Sequence, residues 1–413
     1  MRYFKYLIAA LILLCSFVLG QSYDYSQLKM DELELKLPVI NAETLNSGIR
    51  IYHIDDNSAP MFEVSLLMKY PVYENPGATV YIDSVFNKGY EKDINYLEER
   101  GAVIELKKYE TGIIISCSSL EKYSSGLISL LSRFLSNITI ENKEIEKSDK
   151  KNENLQANVI VDTELDNRLF DIDSSRSIFL DKAVKDTIGI VIGVKGSCDL
   201  SGLEAEFNDI AILSFDNYCR ESKLVYSNKY AGTELKVNAA SGLKSDYLRM
   251  GYLVDGINSN DYFTLLVASN ILNRHLLYGI RLQKGLVYQI GSVYVYGNSF
   301  GKVIIASTIN PDKTDEVLKE VKQVIVDFSE GSIDEKEVEI AKKNIQYEFM
   351  RKVYDESLFL EEVLKYDCYG MNDDFINSYF NCINNVSRQN VMDCFKNNLN
   401  NENVLTVILT GNK

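Results

Sequence analysis

The chain has 413 residues, 46% hydrophobic and 25% charged, with 23 Gly and 5 Pro. That composition excludes disordered and fibrous architectures and supplies apolar side chains for two or three packed domains. A formal charge of -15 excludes non-specific nucleic-acid binding, which needs cations against phosphate, and opposes attachment to an anionic membrane. Only two histidines, His53 and His275, are present, which closes most metal and general-base chemistries, because imidazole is the commonest ligand and base near neutral pH.

Residues 1–20 place Arg2 and Lys5 before an apolar run, Leu7 to Leu14, and then Val18-Leu19-Gly20. This is the order of a secretory signal cleaved after Gly20, so the mature chain is expected to be exported, periplasmic or secreted, with no membrane span. Lipid anchoring at Cys15 is the weaker reading, since Leu14 stands where an acceptor site wants a small residue. The mature cysteines are Cys117, Cys198, Cys219, Cys368, Cys382 and Cys394. Scattered and without a CxxC pair, they read as reduced core residues, with a bridge among the last three left open.

Residues 48–55 and 62–69 read as strands, and Asn75-Pro76 opens a helix, with Asn as cap and Pro in the first turn. Gly101 ends the next helix; strands at 102–106 and 112–117 and a helix carrying Leu127, Leu130, Leu131, Phe134 and Leu135 follow. The Glu- and Lys-rich segment 141–154 reads as a solvated helix face, 188–194 as a buried strand and 203–215 as a helix. The scheme then repeats. Strands at 233–237 and 247–254, a helix from 260 to about 280, and a hairpin of 286–296 and 300–308 turning at Gly297-Asn298 come first. Asn310-Pro311 caps another helix, Ser332 with Glu335 forms a capping box, helices run to about 398, and 403–409 is the last strand. The repeated order predicts an α+β fold of two similar domains, 37–220 and 225–413, each an antiparallel-rich sheet with helices packed on one face.

Two stretches carry a resemblance. Gly77-Ala78-Thr79-Val80-Tyr81-Ile82-Asp83-Ser84-Val85-Phe86-Asn87-Lys88-Gly89-Tyr90, after two strands, resembles the metal-site helix of the insulinase and pitrilysin family of zinc peptidases. Leu97-Glu98-Glu99-Arg100-Gly101-Ala102, residues 188–207, Arg281-Leu282-Gln283-Lys284-Gly285-Leu286-Val287-Tyr288 and residues 333–342 are similar to that family's later landmarks, so the likeness runs over about residues 37–410. In active members the first helix carries His-x-x-Glu-His, two imidazoles four apart on one face and a glutamate that polarises water. The frame puts Val80 and Ser84 at the histidine positions and Asp83 at the glutamate. Valine has no donor atom and a serine hydroxyl is a poor zinc ligand, so the resemblance implies no metal in this chain and no catalytic residue acting alone. On the residues themselves, Val80 and Ser84 read as ordinary members of a buried helix face. Glu153 is the nearest candidate for the third ligand, in uncertain register, and neither His53, in a strand, nor His275, in a helix, is spaced to replace the missing imidazoles.

The resemblance assigns Arg281 and Tyr288 to binding the substrate backbone around the scissile bond. A guanidinium fork and a phenol suit a peptide carbonyl or the oxyanion that develops on it, and Gly285 between them can adopt the left-handed conformation that ends a helix. The residue-level alternative is an arginine on a solvated last turn and a tyrosine packed in a half-buried strand. In sum the resemblance implies the non-catalytic, substrate-binding subunit of a two-chain zinc metalloendopeptidase, with zinc on a homologous partner subunit and an unfolded peptide between them. The alternative is a proteolytically inert peptide-binding or assembly scaffold of the cell envelope. Bound zinc in the isolated chain would point instead to an active peptidase with unusual ligands.

Overall fold

The strands bury residues with period two, and where both faces are covered the alternation fills in. In the computed structural model, β3 (Met61–Lys69) buries Phe62, Val64 and Leu66 on one face and Leu67 on the other. β5 (Gly112–Leu120) buries Ile113, Ile114 and Ile115 in succession. The structure describes residues 36–410 apart from 70–75, 138–156, 170–188, 197–199, 208–227, 239–242 and positions 47, 57, 110, 111 and 372. The expected signal segment, Cys15, Cys198, Cys219, the segment 141–154 with Glu153, and Asn75 lie outside these.

The first sheet has the order β1-β2-β6-β3-β5-β4, with β1 (Asn41–Thr44), β2 (Arg50–Ile54), β4 (Val103–Tyr109) and β6 (Gly189–Lys195) joining β3 and β5. The second has the order β7-β11-β8-β10-β9, from β7 (Glu234–Asn238), β8 (Asp246–Asp255), β9 (Val287–Tyr296), β10 (Phe300–Ile309) and β11 (Leu405–Thr410). Set β1 aside and the sheets have one plan: a parallel pair, β2 with β6 or β7 with β11, followed by antiparallel neighbours. The chain thus forms the α+β fold of two similar sheet-and-helix units that its repeated element order predicts.

One face of the first sheet packs against α1 (Pro76–Gly89), α3 (Ser124–Asn137) and α5 (Leu200–Phe207) through Ile82, Phe86, Leu127, Leu131, Phe134, Leu203 and Phe207. Short α2 (Glu91–Glu98) ends at Gly101, whose φ of 85° is the left-handed stop expected there. In the second unit α6 (Tyr262–His275) lies on β9, followed by α7 (Thr314–Ser329), α8 (Glu335–Tyr354), α9 (Glu356–Cys368), α10 (Asp373–Asn384) and α11 (Arg388–Asn397).

Two helices are exchanged between the units. α4 (Ala157–Leu169) packs on β8 and β11 of the second sheet, and α9 packs on β6, β3 and β2 of the first. Each sits on a strand glycine. A Cβ on Gly251 would stand 2.7 Å from Leu169 Cδ1 and 2.9 Å from Leu165 Cδ1, and one on Gly193 would stand 3.0 Å from both Leu360 Cγ and Leu364 Cδ1. Hydrogen atoms at these two positions let the leucines reach the backbone. Each helix also presents carboxylates to sheet cations: Asp162 to Arg249 at 2.5 Å and Asp166 to Lys302 at 2.6 Å for α4, Asp367 to Arg50 and Lys69, both at 3.0 Å, for α9.

Several local expectations are corrected. The capping box that opens α8 is Asp334 with Glu337, not Ser332 with Glu335, because Ser332 N–H still closes the end of α7 on the Asp327 carbonyl. Asn310-Pro311 precedes a turn, and α7 begins at Thr314. The helix expected from 203 starts at Leu200. Cys368, Cys382 and Cys394 do not bridge one another, and Cys117 and Cys394 are buried thiols whose pKa burial pushes up to about 12. Among the described residues no helix is long and apolar enough to cross a membrane.

Candidate functional site

α1 is held to the core by Ile82 and Phe86, four residues apart, with Val85 packed partly against the same cluster. Val80 and Ser84 lie on this helix one turn apart; Ser84 is half-buried. Asp83 is partly exposed, and both of its oxygens are engaged: Asn87 Nδ2 donates to Oδ1 at 2.7 Å and Lys108 Nζ, from β4, donates to Oδ2 at 3.3 Å. An ammonium therefore meets the carboxylate that the family frame would turn toward a metal-bound water. These residues do not fit zinc: one has no donor, one has a hydroxyl, and the carboxylate is already engaged by Asn87 and Lys108. Among the described residues no group of three or more His, Cys, Asp or Glu is placed to hold a metal ion.

The histidines have other partners. His53 is buried in β2, its Nε2 3.0 Å from the Gly196 carbonyl. His275 closes α6, where its ring meets Glu337 and lies edge-on to Phe328 at 4.7 Å.

After His275 the helix does not end. It widens into a π-helix, Leu276–Gln283, and Arg281 stands in its last turn. π turns are rare and favour functional positions. Lys284 N–H reaches back to the Gly279 carbonyl at 3.2 Å, Gly285 N–H to Arg281 at 3.1 Å and Leu286 N–H to Ile280 at 3.1 Å. Gly285, with φ of 62°, supplies the left-handed residue that reverses the chain into β9, while Lys284 pairs with Glu320 of α7.

The turn brings Arg281 and Tyr288 together, the guanidinium carbon 5.9 Å from the ring centroid. Tyr288 is 86% exposed and Arg281 is also exposed, so the fork of donors and the phenol both face outward. Tyr278 and Leu282, on the same π-helix, are exposed apolar neighbours. The sequence reading missed these two and Lys108. A signal existed for the first pair: apolar residues three before and one after an arginine at a helix end. Lys108 had none, because it lies 25 positions from Asp83. Chemically the element can donate hydrogen bonds to a carbonyl or an anionic oxygen, and it carries no base or nucleophile of its own.

Residues 220–345 match the family model for the peptidase M16 inactive domain. No curated protein sequence matches the chain. Among solved structures, the peptidase M16 inactive domain from Pseudomonas fluorescens superposes with a TM-score of 0.73 at 15% identity, covering 91% of this chain and 98% of the other. A protease from Helicobacter pylori gives 0.70 at 13%, covering 91% and 100%. The periplasmic protease PqqL from Escherichia coli gives 0.63 at 13%, covering 96% of this chain and 50% of that one.

Proposed function

We propose that the chain, whose residues 220–345 match the family model for the peptidase M16 inactive domain, is the zinc-free, substrate-binding subunit of a two-chain zinc metalloendopeptidase. The observation that carries this reading is the pairing of Arg281 with Tyr288 on an exposed turn, in a chain whose first helix offers Val80, Asp83 and Ser84 where a metal site would need two imidazoles and a free carboxylate. A homologous partner subunit supplies the zinc. This chain supplies hydrogen-bond donors to the peptide backbone: Arg281 a planar fork of fixed charge, Tyr288 a phenol. Such donors contribute to turnover by holding a carbonyl in place and by stabilising the negative charge that grows on its oxygen. The substrate is an unfolded peptide, and the site of action is outside the cytoplasm.

Metal analysis and peptide hydrolysis on the mature chain, before and after adding the zinc-bearing homologue, test the reading. The expected result is no zinc and no hydrolysis alone, with faster hydrolysis by the partner on mixing. An unaltered partner rate would leave the chain as an inert scaffold, and stoichiometric zinc in the isolated chain would make it a peptidase in its own right.

A further inference from the structure

Helix α9 does more than cover the first sheet. Glu361, Lys365 and Tyr369 follow one another at intervals of four residues along α9 and just past its end, on one face. The Glu361 carboxylate accepts from Lys107 Nζ at 2.5 Å and from the Tyr109 phenol, both on β4, the outer strand of the first sheet. One turn on, Lys365 Nζ donates to Tyr296 Oη at 3.0 Å, and Tyr369 Oη donates to the Tyr296 carbonyl at 3.1 Å. Tyr296 ends β9, the outer strand of the second sheet, near whose start Tyr288 stands. A single helix face therefore grips the outer strands of both sheets. β4 is also the strand whose Lys108 holds Asp83 of α1.

The surroundings reinforce this grip. Glu362, beside Glu361, takes Lys352 of α8 at 2.7 Å and faces Lys365 at 3.8 Å. Burial opposes the charge on Lys365, but Tyr296 and Glu362 outweigh it and hold its pKa above the ordinary lysine value. Burial and then Glu361 push the Tyr109 phenol upward, so it stays a donor. Partly buried charge pairs of this kind add little net stability, because desolvation offsets their attraction. Unlike an apolar layer, however, they tolerate little sliding, which makes them devices of register.

We infer that α9 is a strut that fixes the spacing of β4 and β9, and with it the position of the α1 element relative to the Arg281–Tyr288 turn. This holds for the isolated chain and does not depend on the partner-subunit reading.

The test is a spin-label distance measurement on the full chain, with cysteine-independent labels at Val103 and Val293, both exposed, on β4 and β9. The parent should give one narrow distance distribution. Glu361→Gln combined with Lys365→Met should widen it about twofold while the protein stays folded by circular dichroism. Lys313→Met, which breaks an exposed pair with Glu316, should leave it as it was. If the double variant does not fold, Tyr369→Phe, which deletes one hydroxyl, should still widen the distribution. An unchanged width in a folded strut variant, a broad distribution in the parent, or equal widening by Lys313→Met would each overturn the inference.

Discussion

Replacing Leu165 with alanine removes a fully buried side chain from α4 at the point where that helix crosses β8. Leucine truncations in cores cost roughly 2.7–5 kcal/mol, and more where the walls cannot close on the void. Here one wall is Gly251, which has no side chain to move in, and strand backbone, so the expected loss is about 4 kcal/mol. Gly251→Ala alone places a methyl 2.7 Å from Leu169 Cδ1 and 2.9 Å from Leu165 Cδ1, an overpacking worth roughly 1–3 kcal/mol. Together, the new methyl loses its two contacts with Leu165 while the one with Leu169 Cδ1 remains, so the double variant should be more stable than the sum of the singles by about 1 kcal/mol. Urea unfolding at 25 °C followed by far-ultraviolet circular dichroism suits a chain without tryptophan. Additivity within about 0.5 kcal/mol, or a Leu165→Ala cost below about 1 kcal/mol, would refute the helix exchange at this crossing.

Other outcomes follow from the same structure. Asp83→Asn breaks a pair whose two side chains are both partly exposed, so it should shift stability by less than about 1 kcal/mol and leave metal content unchanged. The Asp56 carboxyl is drawn from 3.8 to about 2, chiefly by Ser58 and then by Lys195. Its folded pKa is depressed, so its contribution is present above pH 3.8 and is lost as pH falls toward 2. Asp56→Asn should flatten acid unfolding in that window, measured by circular dichroism against pH. Cys117 and Cys394, with thiols raised to about 12, should resist iodoacetamide in the folded protein at pH 8 and react once it is unfolded in urea, read by mass spectrometry.

Much of the fold is legible in local pattern. Phe62, Val64 and Leu66 announce a strand by alternation, the leucines from 127 to 135 a helix by their spacing, and Gly101 and Gly285 chain reversals that proved to have positive φ. The helix exchange is not legible. Asp162 and Asp166 look like the solvated face of α4, and only in three dimensions do they meet Arg249 and Lys302, 87 and 136 positions away. The capping box failed for another reason: Ser-Ile-Asp-Glu-Lys-Glu offers two acceptors each followed three residues later by Glu, and the preceding helix end decided between them. In the candidate site the frame of α1 and the pairing of Arg281 with Tyr288 across Gly285 are readable. The π turn is not, since nothing in Leu276–Gln283 distinguishes a wide helix from an ordinary one.

Hydrolysis of a peptide by the zinc-bearing homologue mixed with this chain, compared for the parent, Arg281→Lys and Arg281→Ala, tests the central claim most directly. If the guanidinium fork holds the substrate backbone, alanine should lower kcat/KM by about 10- to 1000-fold, and lysine should restore only part of it, with folding and partner association unchanged. Equal rates for all three mixtures would contradict the account.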